Sequence, residues 1–244
     1  MKKVCIVVPV YRKIPTPFEI VSLKQLSKIL GEFDMFFIAP DGLNMEPYNN
    51  IISNAKTVFF EKNYFKNVKS YSSLCKKADF YKCFLGYEYM LIYQTDCFVF
   101  KNELISWCNK GYDYIGAPWI SQEWMVGMAK DLKMPFIFKY FNKVGNGGFS
   151  LRKVKKFYYF AIINSLIANY TNFNEDVFWS NLPRILFPRF KYPSFNLALS
   201  FAIEENPQEC IKINNNNLPF GCHAWEKHDL NFWREIFMKY GVDV

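Results

Sequence analysis

Val4-Cys5-Ile6-Val7-Val8-Pro9-Val10 opens the chain, Thr16-Pro17-Phe18-Glu19 follows, and Asp34-Met35-Phe36-Phe37-Ile38-Ala39-Pro40 comes next. The first stretch is an apolar run closed by Pro9, the pattern of a strand buried on both faces of a parallel sheet. The second is a capping box with proline at the first helical position. Glu19 stands three residues after Thr16, so each side chain can accept from the backbone N–H of the other. Ile20, Leu23, Ser27 and Leu30 then repeat at helical spacing, and Gly31 supplies the stop. The third stretch predicts a second strand, ending in the turn Pro40-Asp41-Gly42.

The alternation continues outward. Thr57–Phe60 reads as a third strand. Ser72–Leu85 places Leu74, Ala78, Tyr81 and Leu85 on one helical face, with Gly86 after it. Tyr89-Met90-Leu91-Ile92-Tyr93 is again a buried strand, running into Gln94-Thr95-Asp96. Strand, capped helix, strand, helix, strand predicts an α/β fold with a mostly parallel central sheet flanked by helices. Ligands of such sheets bind beyond the carboxyl ends of the strands, so Tyr11, Asp41 and Asp96 should share one rim. Downstream, Tyr112–Trp119 and Gly145–Arg152 read as further segments and about Lys153–Ala168 as a helix. Asn214–Asn217 reads as a polar loop. Asp229–Tyr240 is amphipathic, with Leu230, Trp233, Phe237 and Tyr240 on one side and Gly241 at its end. No repeat and no linker composition interrupts the 244 residues, so one domain is expected over 1–244.

Composition narrows the class. The chain is 51% apolar and 21% charged, which places it among globular rather than disordered sequences. No stretch reaches the ~18 uncharged apolar residues of a membrane helix. The N-terminus starts like a signal peptide, yet its apolar run stops at Pro9 without a small-residue cleavage site. The seven cysteines are odd in number and contain no C-x-x-C pair, which argues against a disulfide framework or a zinc ribbon. A cytoplasmic protein is expected. The net charge of +8 points to an anionic partner or substrate. Nucleic acid is not expected, since the basic residues are dispersed and carry no recognised motif.

Four stretches could carry chemistry. Asp96 closes a strongly apolar strand, where a carboxylate can hold a divalent metal through oxygen or simply cap a turn. Val144-Gly145-Asn146-Gly147-Gly148-Phe149-Ser150-Leu151-Arg152 has three glycines in four residues, suited to close approach of backbone to a ligand or to a tight hairpin. It is neither a phosphate loop nor a dinucleotide fingerprint. Glu175 and Asp176 are adjacent acids at a helix start, where the helix dipole favours them whether or not one is a base. His223, one of two histidines, sits in the loop Pro219-Phe220-Gly221-Cys222-His223-Ala224-Trp225 and can ligate metal or bind phosphate.

Taken together, Val8-Pro9-Val10-Tyr11, Tyr93-Gln94-Thr95-Asp96, Asp113-Tyr114-Ile115-Gly116-Ala117-Pro118-Trp119, Gly145–Arg152, Glu175-Asp176 and His223-Ala224-Trp225 resemble a bacterial glycosyltransferase-like family of undefined function. That family is related to nucleotide-sugar glycosyltransferases of the GT-A fold. The resemblance spans about Val4 to Trp225. It implies a single GT-A-like, Rossmann-like domain, with a nucleotide-binding half at about 1–100 and an acceptor-binding half at about 101–244.

The resemblance further implies roles. Asp96 matches the last acid of the Asp-x-Asp motif, which holds Mn²⁺ or Mg²⁺ against the donor diphosphate, and His223 is the late metal or phosphate ligand. Gln94 replaces the first acid of the motif, which weakens the metal site and leaves metal-independent transfer open, with Lys or Arg then able to neutralise the diphosphate. Pro9, Tyr11 and Asp41, with Gln94, Thr95 and Asp96, would contact the nucleotide. Trp119, Asn146, Gly147, Gly148 and Arg152 would line the donor sugar and acceptor. Arg152 would also help stabilise the departing diphosphate. Asp176, with Glu175 as the second choice, would be the base of an inverting transfer.

The expected reaction moves a sugar from a nucleotide-diphosphate sugar, UDP-linked first, to a glycan or lipid-linked acceptor in surface polysaccharide synthesis. The alternative is a non-catalytic nucleotide- or glycan-binding GT-A-like domain. Lys153, Lys155 and Lys156 beside Phe157, Tyr158, Tyr159 and Phe160 also suit peripheral contact with the inner face of the membrane.

Overall fold

The computed structural model describes residues 1–120, 143–167, 174–187 and 189–244. Six strands form the main sheet: β1 (Lys2–Pro9), β2 (Asp34–Pro40), β3 (Lys56–Phe60), β4 (Tyr87–Tyr93), β6 (Tyr114–Gly116) and β7 (Phe149–Lys153). Their order is β3-β2-β1-β4-β7-β6. The first four run parallel, with Val8 opposite Phe37 and Val7 opposite Ile92. β7 pairs antiparallel with both β4 and β6.

The expected α/β sheet is present, and its strands alternate as buried strands must. Val4, Ile6 and Val8 of β1 enter one core with Leu23, Leu26 and Leu30 of helix α1 (Pro17–Leu30). Cys5 and Val7 enter the opposite core with Phe80, Tyr81, Phe157 and Trp179. The capping box at Thr16 is formed on both sides.

A second, three-stranded sheet was not foreseen. It comprises β5 (Phe98–Val99), β9 (Gly221–Cys222) and β8 (Ala202–Ile203), in that order. Phe98, Phe100, Trp225, Trp233 and Phe237 pack around it as a third core, with Phe98 stacked on Phe237 at 3.9 Å. These strands carry only two residues each, too few for a readable alternation, yet they deliver two side chains of the site.

Two local readings are corrected. The helix expected over Ser72–Leu85 is two short ones, Val68–Leu74 and Ala78–Lys82. The break is satisfied from elsewhere, because the Cys75 carbonyl accepts from the Tyr81 hydroxyl and from the Trp179 indole N–H. In the glycine-rich stretch only Phe149 onward is strand. Gly145–Gly148 is a loop far in sequence from β6, so no tight hairpin forms. The helix from about Lys153 is observed at Val154–Ile167, and Ala168 lies outside the described residues. Among the described residues, no helix is long and apolar enough to cross a membrane.

Candidate active site

The parallel strands β1 and β4 end on the same rim, and a cavity of about 540 Å³ opens beside them. Its lining includes Pro9, Tyr11 and Arg12 from the end of β1, Gln94-Thr95-Asp96 from the end of β4, and Lys66, Tyr71 and Lys227. Asp41 also follows the end of a parallel strand, but it is exposed and does not border the cavity. Its backbone N–H continues the β2–β3 ladder to the Phe60 carbonyl. Glu19, visible in sequence only as a cap, has a second task. Its carboxylate accepts from the Thr95 hydroxyl at 3.0 Å and pairs with Arg12 at 3.4 Å, tying α1 to both strand ends.

At the inner edge, His223 meets Gln94 and Asp96 although 129 residues separate it from Gln94. Its Nε2 lies 3.1 Å from Gln94 Oε1 and 3.2 Å from Asp96 Oδ1, and its Nδ1 lies 3.0 Å from Glu204 Oε1. Lys227 donates to the other Asp96 oxygen at 2.9 Å. Glu204 also accepts from the Asn146 amide, whose oxygen in turn accepts from the Gly148 N–H. Sequence reasoning missed Glu204 and Lys227. The only signal for Glu204 was an acid directly after the apolar run Phe201-Ala202-Ile203, akin to Asp96, which follows its own strand after Gln94 and Thr95.

The charges are mutually dependent. Burial opposes a charged ring at His223, but Asp96 and Glu204 together outweigh it and push its pKa up to about 10. Burial would raise Asp96 as well, yet His223 and then Lys227 hold it well below the usual carboxylate range. The imidazolium is therefore the proton-filled form of a site that a metal could take over.

The donor set can be judged on its chemistry. One donor atom each from Asp96, Cys97 and His223 lies within 4.8 Å of the others. The Cys97 thiol, however, is pushed far up by burial and donates to the Gly148 carbonyl. That leaves a carboxylate oxygen, the Gln94 amide oxygen and an imidazole whose other nitrogen is braced by Glu204. Such a set suits Mn²⁺ or Mg²⁺, and the carboxylate behind the histidine is the usual brace of a metal ligand.

The glycines explain the Gly-Asn-Gly-Gly segment. A Cβ on Gly148 would lie 2.1 Å from His223 Nε2, and one on Gly147 would lie 2.0 Å from Glu175 Oε1. Only bare backbone lets the His223 ring and the Glu175 carboxylate pack against this loop.

Behind it, Arg152 is 0% exposed and fully engaged. It donates to Glu175, Ser150, the Tyr81 hydroxyl and the Gly147 carbonyl at 3.0, 3.0, 3.0 and 3.2 Å. The expectation that Arg152 faces sugar or diphosphate is corrected: its charge is spent on Glu175 inside the core. Glu175 is likewise buried and ion-paired. Asp176 keeps part of its surface in solvent. Burial first, and Glu175 second, push its pKa up to about 7. Trp119 is buried, and neither it nor the two acids border the cavity.

A family profile described as "Protein of unknown function (DUF5672)" matches residues 54–223, from before β3 to His223. No curated protein sequence matches the chain. Solved structures share the fold. The WbbM bifunctional glycosyltransferase in its apo form aligns with a TM-score of 0.57 at 14% identity, over 93% of this chain and 46% of its own. This chain thus spans less than half of that protein. Mouse xyloside xylosyltransferase 1, also apo, gives 0.57 at 8% identity, over 91% of this chain and 97% of its own. The galactosyltransferase LgtC, solved with donor and acceptor sugar analogues, gives 0.53 at 12% identity, over 90% and 86%. These likenesses establish a GT-A glycosyltransferase fold.

Proposed function

We propose that this chain, which belongs to the DUF5672 family of proteins of unknown function, is a cytoplasmic glycosyltransferase. It would move a sugar from a nucleotide-diphosphate sugar, UDP-linked first, to a hydroxyl of a glycan or lipid-linked acceptor in surface polysaccharide synthesis. One observation carries the reading: His223 and Lys227 converge on Gln94-Thr95-Asp96 at the carboxyl rim of the sheet, beside a cavity sized for a small ligand.

The leaving group of such a reaction is a diphosphate, whose departing charge needs cations already in place. Arg12, Lys66 and Lys227 supply them from the cavity wall, and Tyr11, Phe18, Phe65 and Tyr71 offer rings for a base and ribose. Asp96, Gln94 and His223 would hold Mn²⁺ or Mg²⁺, which when bound adds positive charge at the diphosphate. As the acceptor oxygen bonds to the anomeric carbon, the bond from that carbon to the diphosphate oxygen breaks. The acceptor proton passes to Asp176, whose pKa near neutrality suits a general base. Attack opposite the leaving group inverts the anomeric centre. Glu175 is held by Arg152 and orients this corner instead. The first half of the chain would serve the nucleotide. The second would serve the acceptor while reaching back with Lys227.

A second reading, a non-catalytic nucleotide or glycan binder, draws on Gln94 in place of an acid and on Asp96 being neutralised by two cations.

Thermal stability against UDP, GDP, CMP and dTDP, each with and without Mn²⁺, tests both on the parent and on Asp96→Ala. A nucleotide at about 100 times its Kd adds ~2.7 kcal/mol, roughly 5–10 °C for a chain of this size. A Mn²⁺-dependent shift with one nucleotide, lost in Asp96→Ala, supports donor and metal binding together. A shift without metal moves the diphosphate onto Lys and Arg. Nucleotide binding with neither donor hydrolysis nor transfer favours the second reading, and no shift with any nucleotide refutes donor binding.

A further inference from the structure

The helix Val154–Ile167 is apolar on nearly all sides, a composition that ordinarily goes with complete burial. Its inner side chains, Phe157 and Phe160, are buried in the core, so of the aromatic run beside Lys153, Lys155 and Lys156 only the outer part is left to face a membrane. Among the described residues the outer side stays open: Tyr159 is 61% exposed and Ile162 37%, next to exposed Lys155 and Lys156. A second element extends this face. Leu186 and Phe187, at the end of the helix Glu175–Leu186, are 44% and 40% exposed, flanked by exposed Arg184, Arg189 and Lys191. The two elements are packed together, since Phe160 meets Phe187 at 5.4 Å and Phe157 meets Phe190 at 5.8 Å. Lys156 and the Lys191 backbone N–H both reach the Asp113 carboxylate, at 3.6 and 2.9 Å.

Between Val154 and Lys191 the chain has five Lys and Arg and two acids, Glu175 and Asp176. Both acids sit in the first turn of their helix, at the opposite end from Arg184 and Leu186. Within these two elements the exposed charged side chains are therefore cations, set among tyrosine, phenylalanine and aliphatic groups; the Asp113 carboxylate beneath them is buried, and an exposed acid, Asp79, stands on the neighbouring helix Ala78–Lys82. Water-facing helices dilute apolar groups with charges of both signs, and protein interfaces deplete lysine at their centres. Aromatic rings with lysine and arginine around them match the headgroup boundary of an anionic bilayer, where ring and ammonium each find their preferred depth.

We propose that this face seats the protein on an anionic phospholipid membrane. The occupant follows from charge: the one-signed rim selects a negative surface, and the rings select one with an apolar interior. The placement also has a consequence. At 1.5 Å per residue the helix carries Asp176 about 15 Å from Leu186, so the site stands within reach of a headgroup-level acceptor. The inference does not depend on nucleotide chemistry.

The test is co-sedimentation of the full chain, without nucleotide, with vesicles of phosphatidylglycerol and phosphatidylcholine against phosphatidylcholine alone. The parent should pellet with the anionic vesicles at low salt. Tyr159→Ser/Phe187→Ser, which leaves net charge unchanged, should lower partitioning at least tenfold. Lys155→Glu/Arg184→Glu should do the same, whereas Lys212→Glu/Lys239→Glu, an equal charge change elsewhere on the surface, should lower it less than threefold. Thermal melts identify any variant that fails to fold, and the charge-reversal pair carries the test if the apolar one does. The proposal is overturned if the parent stays in the supernatant or if the control pair loses as much binding as the face variants. It is equally overturned if the face variants dissolve a parental dimer in size-exclusion chromatography, which would assign the face to a second copy of the chain.

Discussion

Gly148→Ala tests the architecture of the site without replacing a charged group. The added Cβ would stand 2.1, 2.3 and 2.5 Å from Nε2, Cε1 and Cδ2 of His223, where ordinary contact begins near 3.4 Å. The ring must retreat by roughly 1 Å, the difference between overlap and van der Waals contact. That displacement strains its links to Glu204 at 3.0 Å, Gln94 at 3.1 Å and Asp96 at 3.2 Å. Overpacking a core costs about 1–3 kcal/mol, and hydrogen bonds to charged groups are worth about 1.5–3 kcal/mol each. With partial relaxation the sum is ~2–4 kcal/mol, a fall in Tm of roughly 5–15 °C. Backbone strain does not contribute, because Gly148 lies outside the left-handed region. Gly86→Ala is the control. A Cβ there meets nothing within 4 Å, so Tm should stay level or rise slightly. Differential scanning fluorimetry with and without nucleotide and Mn²⁺ reads both quantities. A Gly148→Ala protein melting within ~2 °C of the parent and keeping any metal-dependent nucleotide shift would refute the close packing of loop on histidine.

Three other substitutions follow from the same geometry. Asp176→Asn should reduce turnover by ~10²-fold or more if Asp176 is the base. Because burial raises its pKa to about 7, the native carboxyl holds its proton longer than the unfolded one, so the parent loses stability as pH rises from about 4 to 7. The variant should thus match the parent at pH 4 and melt higher at pH 8. A variant that is both active and no more stable would remove the assignment. Arg152→Met leaves Glu175 buried without its partner and should cost about 3–5 kcal/mol in urea unfolding, with Glu175→Gln added to it recovering at least half. Equal losses in the single and double variants would show that the pair is not coupled. At His223 the folded pKa is the higher one, so its stabilisation is complete below about 6.5 and drains away as pH rises toward about 10. His223→Gln should flatten the decline of Tm between those values. An unchanged slope would place the titration elsewhere.

The sequence was most informative where a structure depends on neighbours in the chain. β1, β2 and β4 could be read because a buried strand needs only an unbroken apolar run. The cap of α1 could be read because Thr16 and Glu19 contact one another's backbone within a single turn. Asp96 stood out for the same reason, a carboxylate at the end of an apolar strand. The break after Leu74 was hidden, since the indole N–H that donates to the freed Cys75 carbonyl belongs to Trp179, 104 residues away.

Tertiary packing decided the rest. Composition alone cannot say that Arg152, which the resemblance places at the site, is sealed in the core while Lys227, which it does not reach, stands in the cavity. Gln94, Asp96, Glu204 and His223 became one cluster only when two strands of two residues each brought the ends of the second sheet to the rim of the first. Local pattern sets which residues enter strands and helices. Which charges meet, and which of them lose their water, is set by distances between segments far apart in the chain, and those distances decide protonation, pairing and chemistry.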